Sequence, residues 1–172
     1  ILYSAGVEAA DRAILFKQAV KEIGQRFGIM PSFMAKWNPQ YPGCSGHVHQ
    51  SLSDGRRNLF YDARHPHRMS GLFESYLAGQ LALLEDLQAM YAPTVNSYKR
   101  LVDGMWAPVK KTWAVDNRTA TLRVIPGTAK STRLESRCPG ADVNPYVAMA
   151  AMVGAGLWGI EQKLKLKDAP LE

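Results

Sequence analysis

The sequence predicts an α+β fold, because segments with helical periodicity and segments with strand periodicity both occur along its 172 residues. Apolar residues recur every three or four positions over 7–27 and 66–91, as in helices that bury one side. Polar and apolar residues alternate over 46–52 and 132–137, as in strands with one polar face. A chain of this length fits one domain with its own core, so we treat 1–172 as a single domain.

The predicted elements of the first half are two helices with a strand between them. The first helix spans 7–27, and Gly28 ends it. A turn-rich stretch leads from there into the strand over 46–52. The second helix is long, spans 66–91, and is ended by Pro93.

The second half begins with a predicted irregular loop over 95–108, which is rich in turn-forming residues. Two strands follow, over 120–125 and 132–137, and the turn residues Pro126 and Gly127 separate them.

A last helix is predicted from the pair Asn144 and Pro145, which suit the N-cap and the first helical position. Its body over 147–160 is rich in Ala, Gly and Met. Small residues allow close approach, so we expect this helix to pack tightly against a sheet.

Composition excludes several classes of protein. The 47% hydrophobic and 21% charged fractions are those of an ordinary globular protein, and no apolar run approaches the roughly 20 residues that cross a bilayer. The only cysteines, Cys44 and Cys138, form no disulfide framework and favour a reducing cytoplasm. The net charge of +6 is spread along the chain, which favours an anionic small-molecule substrate over nucleic acid.

The strongest local signal is the segment 132–137. Alternation places Arg133, Glu135 and Arg137 on one face of the strand and Leu134 on the other. These charges could form a solvated face with cross-strand ion pairs. Alternatively, the two guanidinium groups bind phosphate or carboxylate oxygens and the glutamate holds a metal ion.

A second signal is the pair His47 and His49, which point to the same side of a strand. They could be hydrogen-bonded histidines near a surface. With Glu135 they could instead form a mixed site that suits Mg²⁺ or Mn²⁺ together with water and phosphate oxygens. Gly43 and Gly46, just before them, allow close approach of the backbone to a ligand.

A third signal is the density of arginines in the second half of the chain. Between residues 100 and 137 lie Arg100, Arg118, Arg123, Arg133 and Arg137. They could be scattered, solvated side chains. They could equally line a pocket for phosphoryl transfer, which depends on positioning and charge neutralisation.

Four stretches of the sequence resemble motifs of the glutamine synthetase family. GCSGHVHQSL resembles its ATP-binding signature, and NSYKRLVDGMWAP resembles the loop that gates its substrate site. DNRTATLRV and KSTRLESRCPGADVNPYVAMAAMVGAGLWGI follow in the family's order and at similar spacing. Together the matches extend from Phe33 to around Lys163.

The resemblance implies a curved antiparallel sheet with helices packed behind it, of the glutamine synthetase catalytic-domain type. It also implies that the domain is incomplete here, because the family's small N-terminal domain and first metal-ligand strands precede the matched region. We therefore expect that this chain alone does not turn over. For the full-length protein the resemblance implies a large homo-oligomer of stacked rings, without nucleic acid or membrane partners.

The activity that the resemblance implies is that of an ATP-dependent ligase. Glutamate is activated as γ-glutamyl phosphate, and ammonia then displaces phosphate to give glutamine. The implied cofactor is Mg²⁺ or Mn²⁺, with ATP as co-substrate.

The same resemblance implies a role for each matched residue. The metal that bridges the ATP phosphates would be bound by His47 and Glu135. The nucleotide would be contacted by His49, Ser51, Lys130 and Arg133. Glutamate would be held by Gly43, Arg100, Arg118 and Arg137. The catalytic residues, which stabilise the phosphoryl group in flight, would be Arg118 and Arg123.

Two positions depart from the family pattern. Trp106 stands where the gating loop carries a glutamate that helps to deprotonate ammonium, and Pro42 replaces the asparagine before Gly43. Trp106 could form an apolar wall for a larger acceptor, which would make the protein a γ-glutamyl-polyamine or γ-glutamyl-monoamine ligase. It could also merely pack the loop. An inactive, ring-forming structural protein is the alternative from another class.

Overall fold

The computed structural model describes residues 2–65, 67–167 and 170–171. In chain order its elements are α1 (Glu8–Arg26), β1 (Val48–Gln50), α2 (Gly71–Ala82), α3 (Gln88–Tyr91), α4 (Val95–Lys99), β2 (Trp113–Val115), β3 (Leu122–Ile125), β4 (Arg133–Ser136) and α5 (Pro145–Glu161). The α+β prediction is confirmed.

The four strands form one sheet in the order β1-β4-β3-β2. The pairs β1–β4 and β3–β4 are antiparallel, as expected. The edge strand β2 pairs with β3 in parallel and was not predicted. Its three residues are too few for a periodicity to show, so only pairing with β3 makes them a strand.

One face of the sheet is apolar and packs against α2. Leu122, Val124 and Leu134 from the sheet share a buried cluster with Phe73 and Tyr76 of the helix. All five side chains are at most 1% exposed. Because strand side chains alternate between faces, the opposite face of the same strands is left for polar groups.

The long helix predicted over 66–91 is wrong in its extent. Ser70 caps α2, since its Oγ accepts a hydrogen bond from Phe73 N and donates one to Leu59 O at 2.6 Å. The described residues before it form turns, with a bridge between Tyr61 and Met69, and Pro66 lies outside the described residues. After Ala82 the chain forms turns before α3 begins. The apolar spacing that predicted one long helix runs through these turns, so it does not show where the helices end.

The loop predicted over 95–108 contains a short helix, α4. Thr94 and Ser97 form a capping box, in which each side chain accepts a hydrogen bond from the other residue's backbone N–H. Asp142 Oδ2 also accepts a hydrogen bond from Thr94 Oγ1 at 3.2 Å. The cap residues at 94 and 97 were the sequence signal for this helix.

Helix α5 begins as predicted, but it packs mainly against α2 rather than against the sheet. Gly159 of α5 lies against Gly79 of α2, so closely that a Cβ on Gly159 would come within 2.6 Å of Gly79 Cα. Val48 of β1 packs against the buried cluster to which Met152 of α5 belongs. The small residues of α5 therefore serve a helix–helix contact.

The N-cap of α5 gives a first testable prediction. Asn144 Oδ1 accepts hydrogen bonds from Tyr146 N at 3.0 Å and from Val147 N at 3.4 Å. Asn144→Ala removes this acceptor and is expected to lower the free energy of unfolding by about 1 kcal/mol, measured by urea denaturation. Asn144→Asp is the control, because its carboxylate still caps the helix. A cost for Asp equal to that for Ala would contradict the capping role.

Helix α1 is confirmed, and it contacts both α5, where Tyr146 Oη donates a hydrogen bond to Asp11 Oδ1, and the residue before the N-cap of α5. Lys17 Nζ donates a hydrogen bond to Val143 O at 3.0 Å. Its apolar stripe is largely uncovered, since Phe16, Ile23 and Phe27 are 51%, 55% and 75% exposed. Among the described helices, none has the length and apolar character needed to span a bilayer.

Candidate active site

The polar face of the sheet gathers residues from three strands. In the strand register Glu135 of β4 lies opposite both His49 of β1 and Arg123 of β3. Directly opposed residues point to the same side of a sheet. The alternation in 132–137 therefore placed Arg133, Glu135 and Arg137 on one face correctly, with Leu134 in the core.

Glu135 is the centre of this face. Its Oε1 accepts a hydrogen bond from Arg137 Nη1 at 2.7 Å and lies 3.1 Å from His47 Nδ1 and 3.8 Å from His49 Nε2. Its Oε2 accepts one from Arg123 Nη1 at 3.0 Å. We call these five residues the Glu135 cluster.

The Glu135 cluster is not a solvated strand face, because Glu135 is 3% and Arg137 5% exposed. Burial by itself raises the pKa of Glu135, but the hydrogen bonds from His47 and Arg123 and the charge of Arg137 outweigh it and lower the pKa to about 2. Glu135 is therefore ionised at neutral pH, as a metal ligand must be.

His49 is the more exposed of the two histidines. Burial lowers its pKa, and the charge of Arg133 adds to this, while the carboxylate of Glu135 acts in the opposite direction. Its Nδ1 accepts a hydrogen bond from Arg133 Nε at 3.1 Å. The net effect favours the neutral imidazole, whose Nε2 faces Glu135.

The pair His47 and Glu135 fits a divalent cation. His47 Nδ1 is engaged with Glu135 Oε1 at 3.1 Å, so the other ring nitrogen, Nε2, is the atom left to bind a metal ion. His47 Nε2 is buried and has no hydrogen-bond partner among the described residues. Within the described ranges, no three His, Cys, Asp or Glu side chains form a complete metal site, so further ligands would have to be water, phosphate or other carboxylates.

Arg100 and Gly43, both predicted to hold glutamate, lie in contact with each other. A Cβ on Gly43 would collide with Ala35 O and Arg100 Cγ, which explains the glycine. Arg100 is 2% exposed, and its Nη2 donates hydrogen bonds to the carbonyls of Arg137 and Cys138. Burial lowers the pKa of Arg100. Any contact with glutamate would have to use its remaining N–H groups, and that role stays a prediction.

The other predicted site residues are exposed and lie in turns or just beyond the end of a strand. Arg118 is exposed in the turn between β2 and β3. Ser51 is exposed just after β1, and Lys130 is exposed in the turn that precedes β4. Their proposed contacts with substrates remain predictions.

Sequence reasoning missed Asp116, which the structure places beside the Glu135 cluster. Its Oδ1 forms an ion pair with Arg123 Nη2. Asp116 directly follows β2, so its position depended on a strand that was also missed. The available signal was its place in the motif DNRTATLRV, immediately before Asn117 and Arg118.

The loop after α4 carries Trp106, which is 68% exposed. Its backbone has φ 61°, a left-handed conformation that is rare for a bulky side chain. Such strain is typical of loops with a functional role. The structure thus presents the indole at the surface of the loop rather than packed inside it.

Comparisons with known proteins identify the family of this chain. Residues 1–171 match the family described as glutamine synthetase, catalytic domain. The chain is 54% identical over 99% of its length to a type-1 glutamine synthetase 2 of Dictyostelium discoideum, of which the match covers 33%. It is 43% identical over 98% of its length to a glutamate–isopropylamine ligase of Pseudomonas sp, covering 37% of that protein.

A third relative is a γ-glutamylethanolamide synthetase of Streptomyces coelicolor, 43% identical over 96% of this chain and covering 35% of that protein. The chain thus spans about a third of the length of these curated relatives. Because the family match extends over nearly every residue, this chain belongs to the glutamine synthetase catalytic-domain family.

Proposed function

We propose that the full-length protein is an ATP-dependent ligase that activates glutamate as γ-glutamyl phosphate and condenses it with ammonia to form glutamine. The observation that carries this proposal is the Glu135 cluster, in which a buried carboxylate is held between two arginines and two histidines. Phosphoryl transfer to a carboxylate brings many negative charges together, and fixed guanidinium groups can neutralise them.

We assign roles to the residues of the Glu135 cluster and to the other predicted site residues. His47 and Glu135 would hold Mg²⁺ or Mn²⁺, which when bound neutralises charge on the ATP phosphates. His49, Ser51, Lys130 and Arg133 would position the nucleotide. Glutamate would be held by Gly43, Arg100, Arg118 and Arg137.

Arg118 and Arg123 would stabilise the phosphoryl group as it moves from ATP to the γ-carboxylate. An amine would then attack the carbonyl carbon and release phosphate. We further propose a cytoplasmic location and a homo-oligomer of stacked rings for the full-length protein.

The test is ATP-dependent phosphate release by the full-length protein with glutamate. Ammonium, putrescine, spermidine, ethanolamine and isopropylamine are compared as acceptors. The proposal expects release that requires glutamate, Mg²⁺ or Mn²⁺, and ammonium, with glutamine as the product identified by mass spectrometry. No release with any amine would favour an inactive structural protein.

A second candidate is a γ-glutamyl-monoamine or γ-glutamyl-polyamine ligase. It is favoured by the exposed indole of Trp106, by a relative named as a ligase of glutamate and isopropylamine, and by a relative named for a γ-glutamylethanolamide product. An indole can contact the alkyl part of an amine but cannot accept a proton from ammonium.

This second candidate predicts a selective effect of Trp106→Ala. Loss of an apolar wall should lower kcat/KM for the preferred organic amine by about tenfold or more, while kcat/KM for ammonium changes less. The measurement is phosphate release over a range of amine concentrations. Trp158→Ala, on α5, is the control and should leave the ratio between the two acceptors unchanged. An unchanged ratio in Trp106→Ala would instead support ammonia as the acceptor.

A further inference from the structure

Asp116 lies at the end of the parallel edge strand, next to Arg123. The register pairs Ala114 with Arg123 and Val115 with Val124. Asp116 continues this pairing, since its N–H donates to Val124 O at 2.9 Å. This pairing of the edge strand places the Asp116 carboxylate beside the Arg123 guanidinium.

Arg123 is held at two points by two carboxylates. Its Nη1 donates to Glu135 Oε2 at 3.0 Å, and its Nη2 donates to Asp116 Oδ1. These bonds use the two terminal nitrogens, so rotation about one of them is blocked by the other. Burial acts to lower the pKa of Arg123, but both carboxylates outweigh it and the pKa is raised.

The contribution of Asp116 to folding stability is small by comparison. Its side chain is 64% exposed, whereas that of Arg123 is 12% exposed. Ion pairs with an exposed partner contribute little to stability. A role in orienting Arg123 explains this carboxylate better than a role in folding.

The backbone of Asp116 also has an unusual conformation. Its φ is 53°, in the left-handed region, which costs most residues about 1–2 kcal/mol and which Asp and Asn tolerate best after Gly. This bend ends the edge strand and starts the turn that carries Arg118. The backbone conformation of Asp116 therefore affects the positions of Arg118 and Arg123, the two arginines to which a catalytic role is assigned.

We infer that Asp116 is a positioning residue, whose carboxylate fixes the guanidinium plane of Arg123 against Glu135 so that the remaining N–H groups of Arg123 face the transferring phosphoryl group. The inference rests on the proposed function. Without the Asp116 carboxylate, Arg123 keeps its bond to Glu135 but rotates about it. Transition-state stabilisation then falls, while ground-state binding of ATP and glutamate is retained.

The experiment compares Asp116→Gly and Asp116→Asn in the full-length protein. Glycine accepts φ 53° without strain, so this variant removes the carboxylate and leaves the backbone relaxed. Asparagine tolerates the same φ and keeps an oxygen that accepts from Arg123 Nη2. Asp62→Gly is the control, because Asp62 forms a comparable ion pair, at 3.1 Å, with the exposed side chain of Arg64.

We expect Asp116→Gly to lower kcat by about tenfold or more, as for a misplaced catalytic group, with KM for ATP and for glutamate nearly unchanged. Asp116→Asn should recover most of the lost kcat, and Asp62→Gly should match the wild type. Crystal structures of the wild type and Asp116→Gly should show the Arg123 guanidinium rotated in the variant.

The inference is overturned if Asp116→Gly retains the wild-type kcat, if KM rises in place of a fall in kcat, or if Arg123 occupies the same position in both crystal structures. It is also overturned if Asp116→Asn is no more active than Asp116→Gly. A wild type that releases no phosphate with any amine overturns the proposed function itself. The two failures are therefore distinguished by the wild type alone.

Discussion

Glu135→Gln is expected to lower the free energy of unfolding by about 3–5 kcal/mol, the usual cost of breaking a buried ion pair. The substitution keeps the shape of the side chain and removes its charge. Arg123 and Arg137 then remain close together without the carboxylate that pairs with both of them. Urea denaturation of the wild type and the variant measures the difference.

Under the proposed function, the same substitution in the full-length protein should abolish metal-dependent activity. A neutral amide is a poor ligand for Mg²⁺, and the histidine beside it cannot compensate for the lost charge. Isothermal titration of the metal into the folded variant separates this effect from loss of stability. Binding equal to that of the wild type would contradict the assignment of Glu135 as a ligand.

Glu85→Gln is the matched control for stability. Glu85 is 77% exposed and lies 3.9 Å from Lys111, so it forms an ion pair on the surface. Its replacement should change the free energy of unfolding by about 0.5 kcal/mol or less. Similar losses for Glu85→Gln and Glu135→Gln would mean that the Glu135 cluster contributes no special stability.

The second large effect is expected from Gly159→Ala, at the contact between α5 and α2. The added methyl group would meet Ser75 O and would lie 2.6 Å from Gly79 Cα and 2.7 Å from Gly79 N. These are backbone atoms of a helix and cannot turn aside. The two helices would have to separate, and we expect a loss of about 3 kcal/mol, at the upper end of the usual cost of overpacking.

Gly154→Ala on the same helix is expected to have the opposite sign. A Cβ at Gly154 meets no atom within 4 Å among the described residues. Alanine in an exposed helical position is more stable than glycine by about 0.5–1 kcal/mol. Thermal unfolding of Gly154→Ala and of Gly159→Ala, each compared with the wild type, tests both predictions. Stabilisation or neutrality of Gly159→Ala would refute the close contact between the helices.

Much of the candidate site could be predicted from local sequence. The alternation over 132–137 placed three charged residues on one face, and the structure confirms that face. Asn144 and Pro145 marked the start of α5 correctly. Such signals lie within a few adjacent residues, so they can be recognised without knowledge of the rest of the fold.

The ends of the helices and the elements that pack against them were less predictable. The apolar spacing over 66–91 continued through a turn, because buried residues outside a helix are apolar too. The apolar stripe of α1 correctly indicated a helix, yet Phe16 and Phe27 are not covered by the described residues. Periodicity shows which side of a helix is apolar and not what contacts it.

The sequence by itself determined the α+β class, the family and the polar face that carries His49, Glu135 and Arg137, because these depend on residue order and side-chain alternation. Only the tertiary structure decided that β2 pairs in parallel with β3, that Asp116 reaches Arg123, and that the glycines of α2 and α5 meet. Those contacts join residues whose distance in space depends on how separate segments of the chain pack together in the fold. No local sequence pattern shows which segments will pack against each other.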